Sequence, residues 1–141
     1  MKQKNTILIV GSIVALSSFI NAAKPAEVLF DTKCAMCHSK TRPDDMAEVT
    51  APAIMGVMRH VKMTCPDKEE AVKFMVDYIL KPSKEKAICM PQKLKRFGLM
   101  PSQKGNVTQA EAEQITSWMF DTFPPEGFRG MGRGNRKGQG K

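Results

Sequence analysis

Five consecutive residues, Cys34-Ala35-Met36-Cys37-His38, constrain the fold of this chain more than any other segment. About one helical turn separates the first thiol from the imidazole, so both sulfurs and the ring reach the same edge of a bound group. Paired cysteines at this spacing also occur in thioredoxin-like dithiol proteins. Those proteins need no following histidine and carry a βαβ pattern, which the sequence does not show.

The order C-x-x-C-H is the attachment signature of c-type haem. The thiols of Cys34 and Cys37 can add to the two vinyl groups of the porphyrin. His38 is then placed to give an imidazole nitrogen to the iron from one face. The motif therefore predicts one covalently bound haem c, with His38 as an axial iron ligand.

The N-terminal segment has the pattern of a secretory signal peptide. Two lysines precede an apolar run over residues 7–20, and small residues follow at 21–23. The run is short for a membrane span. We expect residues 1–23 to be removed on export to the bacterial periplasm, since covalent haem attachment in bacteria is completed outside the cytoplasm. Left uncleaved, the segment would tether the protein to the membrane.

The positive charge of the chain is concentrated at its C-terminal end. The precursor carries a formal charge of +8, and five cations with no acid lie in the Gly/Arg/Lys-rich tail, residues 127–141. The domain before it, residues 24–126, has 15 basic and 14 acidic residues. The high pI therefore belongs to the tail and does not argue for nucleic acid. The tail has little to bury and should be disordered alone, although it could hold a membrane surface or a partner.

Two cysteines remain after haem attachment, Cys65 and Cys89. Spare thiols in a small exported domain usually pair, which predicts a disulfide; two separate free thiols are the alternative. The bridge would close a loop of roughly two dozen residues and contribute about 3 kcal/mol in the chain-entropy model.

Apolar periodicity predicts an all-α domain of three to five helices. The first runs over residues 25–36, with Val28, Leu29, Thr32 and Met36 on one face. The next begins near Asp67 and ends at Pro82, and a short helical turn follows it. The last begins at a Thr108–Glu111 capping box and buries Ala112, Ile115, Met119 and Phe123. Residues 39–64 and 88–107 are predicted as loops.

Three residues are candidates for the second axial ligand of the iron. Met100 and Met90 each precede a proline, and a Met thioether suits a redox haem because it raises the reduction potential. Met100 is favoured because it lies in a loop before the capped last helix, whereas a bridge at Cys89 would constrain Met90. His60 is the third candidate, with a surface position as the alternative. The other methionines are expected as apolar filling around the ring: Met55, Met58, Met63 and Met75.

From residue 26 to residue 123 the chain resembles the class I, single-haem cytochromes c of the bacterial periplasm. The resemblance rests on the haem motif, on Met100-Pro101 leading into the last helix, and on Pro52 with Gly56, which resemble a Pro-x-x-x-Gly element. It implies the cytochrome c fold wrapped around one haem. It also implies that the Pro52 carbonyl accepts a hydrogen bond from His38, although a plain loop proline would fit equally.

The resemblance implies further that Phe30 packs against Trp118. The chain departs from the family in the Cys65/Cys89 pair, in the long region from residue 66 to residue 99, and in the tail.

The expected function is electron transfer by a six-coordinate haem that cycles between Fe(II) and Fe(III), in a monomeric carrier that is not an enzyme. Partners would be redox proteins, with acidic surfaces attracted by Lys93, Lys95 and Arg96 if these are more than a solvated loop. The alternatives are a haem-bearing subunit of a larger oxidoreductase and an enzyme or gas-binding protein with a five-coordinate haem.

Overall fold

The computed structural model describes residues 25–41, 45, 47–88 and 90–128. In this part the chain is all-α, as predicted. Its five helices are α1 (Ala26–Lys33), α2 (Ile54–Thr64), α3 (Lys68–Leu80), α4 (Pro91–Phe97) and α5 (Gln109–Thr122). The β-structure described is one isolated bridge between Lys104 and Val107.

The ends of the chain and one cysteine fall outside the described residues. The predicted signal peptide, the tail from residue 129 and Cys89 are therefore known from the sequence alone. Within the described ranges, the helices are all too short or too polar to cross a bilayer.

Helix α5 is the centre of the fold and forms as its sequence predicts. The Thr108 hydroxyl accepts a hydrogen bond from the Glu111 backbone N–H at 3.2 Å, and the Glu111 carboxylate accepts one from the Thr108 N–H at 2.9 Å. Two backbone donors left open by the first helical turn are thereby satisfied. The predicted stripe is buried at all four positions: Ala112, Ile115, Met119 and Phe123. Helices α3 and α1 pack along this core helix.

Helix α1 is shorter than predicted and buries a different face. It ends at Lys33, because the Ala35 and Cys37 N–H groups turn back to the carbonyls of Phe30 and Cys34. Leu29 and Phe30 are buried, whereas Val28 is 44% and Met36 is 91% exposed. The predicted face at 28, 29, 32 and 36 is therefore wrong, because packing on α5 selects the Phe30 side of the helix.

Two helices lie where the sequence analysis predicted loops. In α2, Ile54, Met58 and Val61 are buried at helical spacing, although Gly56 lowers the helix propensity by about 1 kcal/mol. In α4, Pro91 occupies the first turn, where its missing N–H costs nothing, and Gly98 ends the helix with φ of 74°. The loop prediction was wrong for α2 because tertiary burial outweighed its weak local helix signals. It was wrong for α4 although a proline at the start and a glycine at the end are signals of a helix.

Helix α3 begins and ends close to the predicted positions. The Asp67 carboxylate accepts a hydrogen bond from the Glu70 N–H at 3.0 Å, and the helix ends at Leu80, before Pro82. The predicted short helical turn follows as a single hydrogen-bonded turn, in which the Ala87 N–H donates to the Lys84 carbonyl at 3.3 Å.

Candidate haem-binding site

All five helices contribute to the wall of one predominantly apolar cavity of about 210 Å³. Cys34, Cys37 and His38 line it after the end of α1, and Met100 lines it in the loop before α5. Residues 34–38 and Met100 are more than 60 positions apart in sequence, so the fold brings the two parts of the predicted site together. Most of the remaining wall is aliphatic and aromatic, as in Phe30 of α1, Val57 of α2 and Ile115 of α5.

A single hydrogen bond fixes the His38 ring. Its Nδ1 lies 2.8 Å from the Pro52 carbonyl oxygen. Because a carbonyl only accepts, Nδ1 carries the proton and Nε2 keeps the lone pair that binds metals. Burial lowers the pKa of His38, more than the bond to Pro52 raises it. The imidazole is therefore neutral near pH 7, which is the form that ligates iron.

The two cysteines of the motif differ in exposure. Cys34 ends α1 and is half-buried, and burial raises the pKa of its thiol to about 11. Cys37 is exposed one turn further along. Backbone bonds from the Cys37 and His38 N–H groups to the Cys34 carbonyl, at 3.1 and 2.9 Å, hold both cysteines and the histidine along one turn. This is the arrangement that the motif predicted.

The structure separates the two methionine candidates. Met100 lines the cavity, whereas Met90 begins α4, is 47% exposed and is outside the lining. His60 lies on α2, also outside the lining. Of the four expected filling residues, Met75 lines the cavity, Met58 lies in the core and Met55 packs against the core while partly buried. Met63 is 67% exposed, so the expectation was wrong for that residue.

The loop that carries Met100 is fastened to the C-terminal end of α3. The Ser102 hydroxyl donates to the Leu80 carbonyl at 2.6 Å, and the Gln103 N–H donates to the Ile79 carbonyl at 3.0 Å. These carbonyls belong to the last turn of α3, where no helical donor reaches them. These two bonds to the end of α3 therefore fix the position of the Met100 loop in the cavity wall.

The sequence analysis placed Met75 of α3 near the ring but did not predict that α3 forms a large part of the cavity wall. Phe74, Met75, Tyr78 and Ile79 line the cavity, and the Phe74 and Tyr78 rings stack with centroids 6.2 Å apart. These residues recur at i, i+1, i+4 and i+5, an apolar stripe next to Ala71 and Val76, which α3 buries in the core. That spacing was the available signal.

The remaining predicted residues lie around this site. Lys93 lines the cavity, while Lys95 and Arg96 lie on α4 outside the lining, with Arg96 over the Phe97 ring. Cys65 ends α2 as a half-buried thiol, and since Cys89 lies outside the described residues, the disulfide stays a prediction. No group of three His, Cys, Asp or Glu side chains suited to a metal ion occurs in the described part.

Comparisons with known proteins add one relative. An uncharacterized protein of Aquifex aeolicus (strain VF5) is 28% identical over 108 residues, which cover 67% of this chain and 71% of that protein. No protein-family model matches the sequence. No solved structure matches it either.

Proposed function

We propose that this chain is a single-haem c-type cytochrome that carries electrons in the bacterial periplasm. The observation that carries the proposal is the convergence of Cys34, Cys37, His38 and Met100 on one apolar cavity. The 2.8 Å bond from His38 to the Pro52 carbonyl supports the role of Pro52 that the resemblance implied. The N-terminal signal pattern supports export.

The residues present fit a haem in number and chemistry. The His38 imidazole and the Met100 thioether would hold the iron of a haem. Two thiols meet the need for two covalent links, at Cys34 and Cys37. When bound, the haem supplies one-electron transfer between ferric and ferrous iron.

The chain's own residues would tune that chemistry. The Pro52 carbonyl orients His38 and raises its basicity as a ligand. The apolar wall excludes water and disfavours the additional charge of the ferric state, which raises the reduction potential together with a Met ligand. If His38 and Met100 both held the iron, no position would be left for a substrate, which would favour a carrier over an enzyme.

Packing between the first and last helices also agrees with a cytochrome c-like fold. The Phe30 and Trp118 rings, from α1 and α5, have centroids 5.4 Å apart and an angle of 49° between their planes. This is the contact between first and last helices that the resemblance implied. It supports the proposed fold independently of the cysteine motif.

An absorption spectrum of the protein matured in a periplasm is the direct test. We expect a covalently bound haem, a weak far-red band of ferric Met ligation in the oxidised form, and no response of the reduced form to carbon monoxide. Absence of haem would overturn the proposal. Ready binding of carbon monoxide by the native protein would replace it with a five-coordinate, enzyme or gas-binding function.

Two matched variants identify the ligand. Met100→Ala should lose the far-red band, bind carbon monoxide when reduced, and lower the reduction potential. Met90→Ala removes an equal side chain outside the cavity and should leave all three readouts unchanged. The reverse result would assign the ligand to Met90.

The docking part of the proposal rests on charge at α4. In the described part of the chain, Lys93 and Lys95 have no ion-pair partner. Neutralising Lys93, Lys95 and Arg96 should slow oxidation of the reduced protein by an anionic oxidant such as ferricyanide and flatten its dependence on ionic strength. Neutralising Lys68 and Lys73 instead should change both much less. Equal effects from the two sets would exclude a local docking role.

A further inference from the structure

Charge is strongly segregated along the folded domain. Residues 81–107, which include α4 and Met100, hold seven Lys and Arg and one acid. Residues 67–80 hold four acids and two lysines, and residues 108–128 hold four acids and no base. Helices α3 and α5 therefore form an acidic part of the molecule beside a basic one.

A groove of about 910 Å³ runs along these two acidic helices. The α3–α5 groove has an apolar part lined by Val72, Val76 and Leu80 of α3. Its polar lining comes from both helices: Glu69 and Asp77 from α3, and Gln109, Glu113 and Ser117 from α5. Lys68, Lys73 and Lys81 also line it; Lys68 is ion-paired to Asp121 at 2.6 Å and Lys73 to Glu69 at 2.8 Å, and Asp77 is itself paired to Lys86. Glu113 has no ion-pair partner among the described residues and accepts only from Gln109, at 3.0 Å.

The chain leaves α5 at one end of this groove. The Lys68–Asp121 contact joins the start of α3 to the last turn of α5, so the two helices run in opposite directions. Thirteen further residues follow Phe128, and they carry five cations and no acid: Arg129, Arg133, Arg136, Lys137 and Lys141. Six residues, 123–128, separate this segment from the end of α5, and the two helices beside the groove carry more acids than cations.

We propose that the basic tail, residues 129–141, binds back along the α3–α5 groove of its own chain. A 13-residue segment can extend about 43 Å, whereas α3 spans about 20 Å, so the tail can follow the whole groove. Five of the 13 tail residues are glycines and five are long cations. The tail can therefore bring its backbone close to the apolar floor while its cations reach carboxylates on both sides.

Binding of the tail to the groove would depend on several weak ion pairs, on the covalent tether and on the salt concentration. Exposed ion pairs contribute about 0–1 kcal/mol each, so no single pair would hold the tail. A short tether, however, gives an effective concentration in the millimolar range, which makes several weak pairs sufficient. The Debye length falls from about 30 Å at 0.01 M salt to about 3 Å at 1 M. Docking should therefore be present at low salt and absent at high salt.

Trypsin can measure this docking because it cleaves after the cations of the tail. The rate of tail cleavage in the intact protein is compared with that of a free peptide of residues 129–141, by mass spectrometry. At 0.01 M salt we expect cleavage of the tail to be about threefold slower than that of the peptide, as for a segment docked two thirds of the time. At 0.5 M salt the two rates should converge. Equal rates at low salt would overturn the proposal.

Variants locate the surface. Glu69→Gln with Glu113→Gln removes one carboxylate from each side of the groove and should remove most of the protection. Glu48→Gln with Glu85→Gln removes the same charge away from the groove and should leave the protection of the tail intact. Loss of protection in both double variants would mean that the tail responds only to the net charge of the domain. Protection that rises with protein concentration, with a larger species in gel filtration, would mean that the tail binds a second copy instead. None of these readouts depends on bound haem, so they are independent of the proposed function.

Discussion

The contact between Phe30 and Trp118 gives a quantitative test of the fold. Phe30 is fully buried at the junction of α1 and α5, and its ring lies 5.4 Å from that of Trp118. Truncation to alanine removes a buried aromatic ring and leaves a cavity, which costs about 3–5 kcal/mol in comparable sites. We expect Phe30→Ala to lower the free energy of unfolding by that amount, a large part of the 5–15 kcal/mol typical of whole domains.

The pairwise part can be separated from the cavity. Tilted aromatic pairs contribute about 0.5–1.5 kcal/mol beyond their buried area. A double-mutant cycle with Phe30→Leu and Trp118→Leu, which keep most of the apolar volume, should give a coupling energy in this range. Urea unfolding, followed by far-ultraviolet circular dichroism, measures each variant.

Val28→Ala is the matched control on the same helix. Val28 is 44% exposed, so its truncation should cost no more than about 0.5 kcal/mol. A Phe30→Ala cost as small as that of Val28→Ala, or a coupling energy near zero, would refute the packing of α1 on α5 described above.

Four further substitutions test local features. Thr108→Ala removes the hydroxyl that caps α5 and should cost about 1 kcal/mol in urea unfolding. Hydrogen bonds from Thr108 hold the pKa of Glu111 below its ordinary value of 4.5. The contribution of ionised Glu111 to the folded state's stability is therefore present above that value and is lost as the pH falls through the lowered pKa. Glu111→Gln should weaken the dependence of the unfolding free energy on acid pH more than Glu113→Gln does. Gly98 has φ 74° and ψ −173°, a conformation almost restricted to glycine, so Gly98→Ala should cost about 1–3 kcal/mol and disturb Met100 ligation in the visible spectrum. Gly56→Ala, where an added methyl meets nothing within 4 Å, should instead stabilise α2 by about 0.5–1 kcal/mol, and a loss of stability there would contradict the helix.

The helices with complete local signals were predictable from the sequence. Thr108 and Glu111 define the start of α5 through side-chain bonds to neighbouring backbone, and its four-residue stripe reports the buried face directly. Asp67 does the same for α3. Helix α2 was missed because its start has no side-chain cap and Gly56 interrupts it, so that burial of Met58 and Val61 is what stabilises it.

The sequence by itself determined the chemistry: a five-residue motif with two thiols and an imidazole, together with a short set of methionines that could complete it. It did not determine which methionine reaches the cavity, or that Pro52 meets the His38 ring, since these depend on distances across the fold. The tertiary structure decided both, because Ser102 and Gln103 fasten the Met100 loop to the end of α3 and the chain after His38 returns to the start of α2. Local patterns report bonds between neighbours, whereas a cavity is built from residues that only packing brings together.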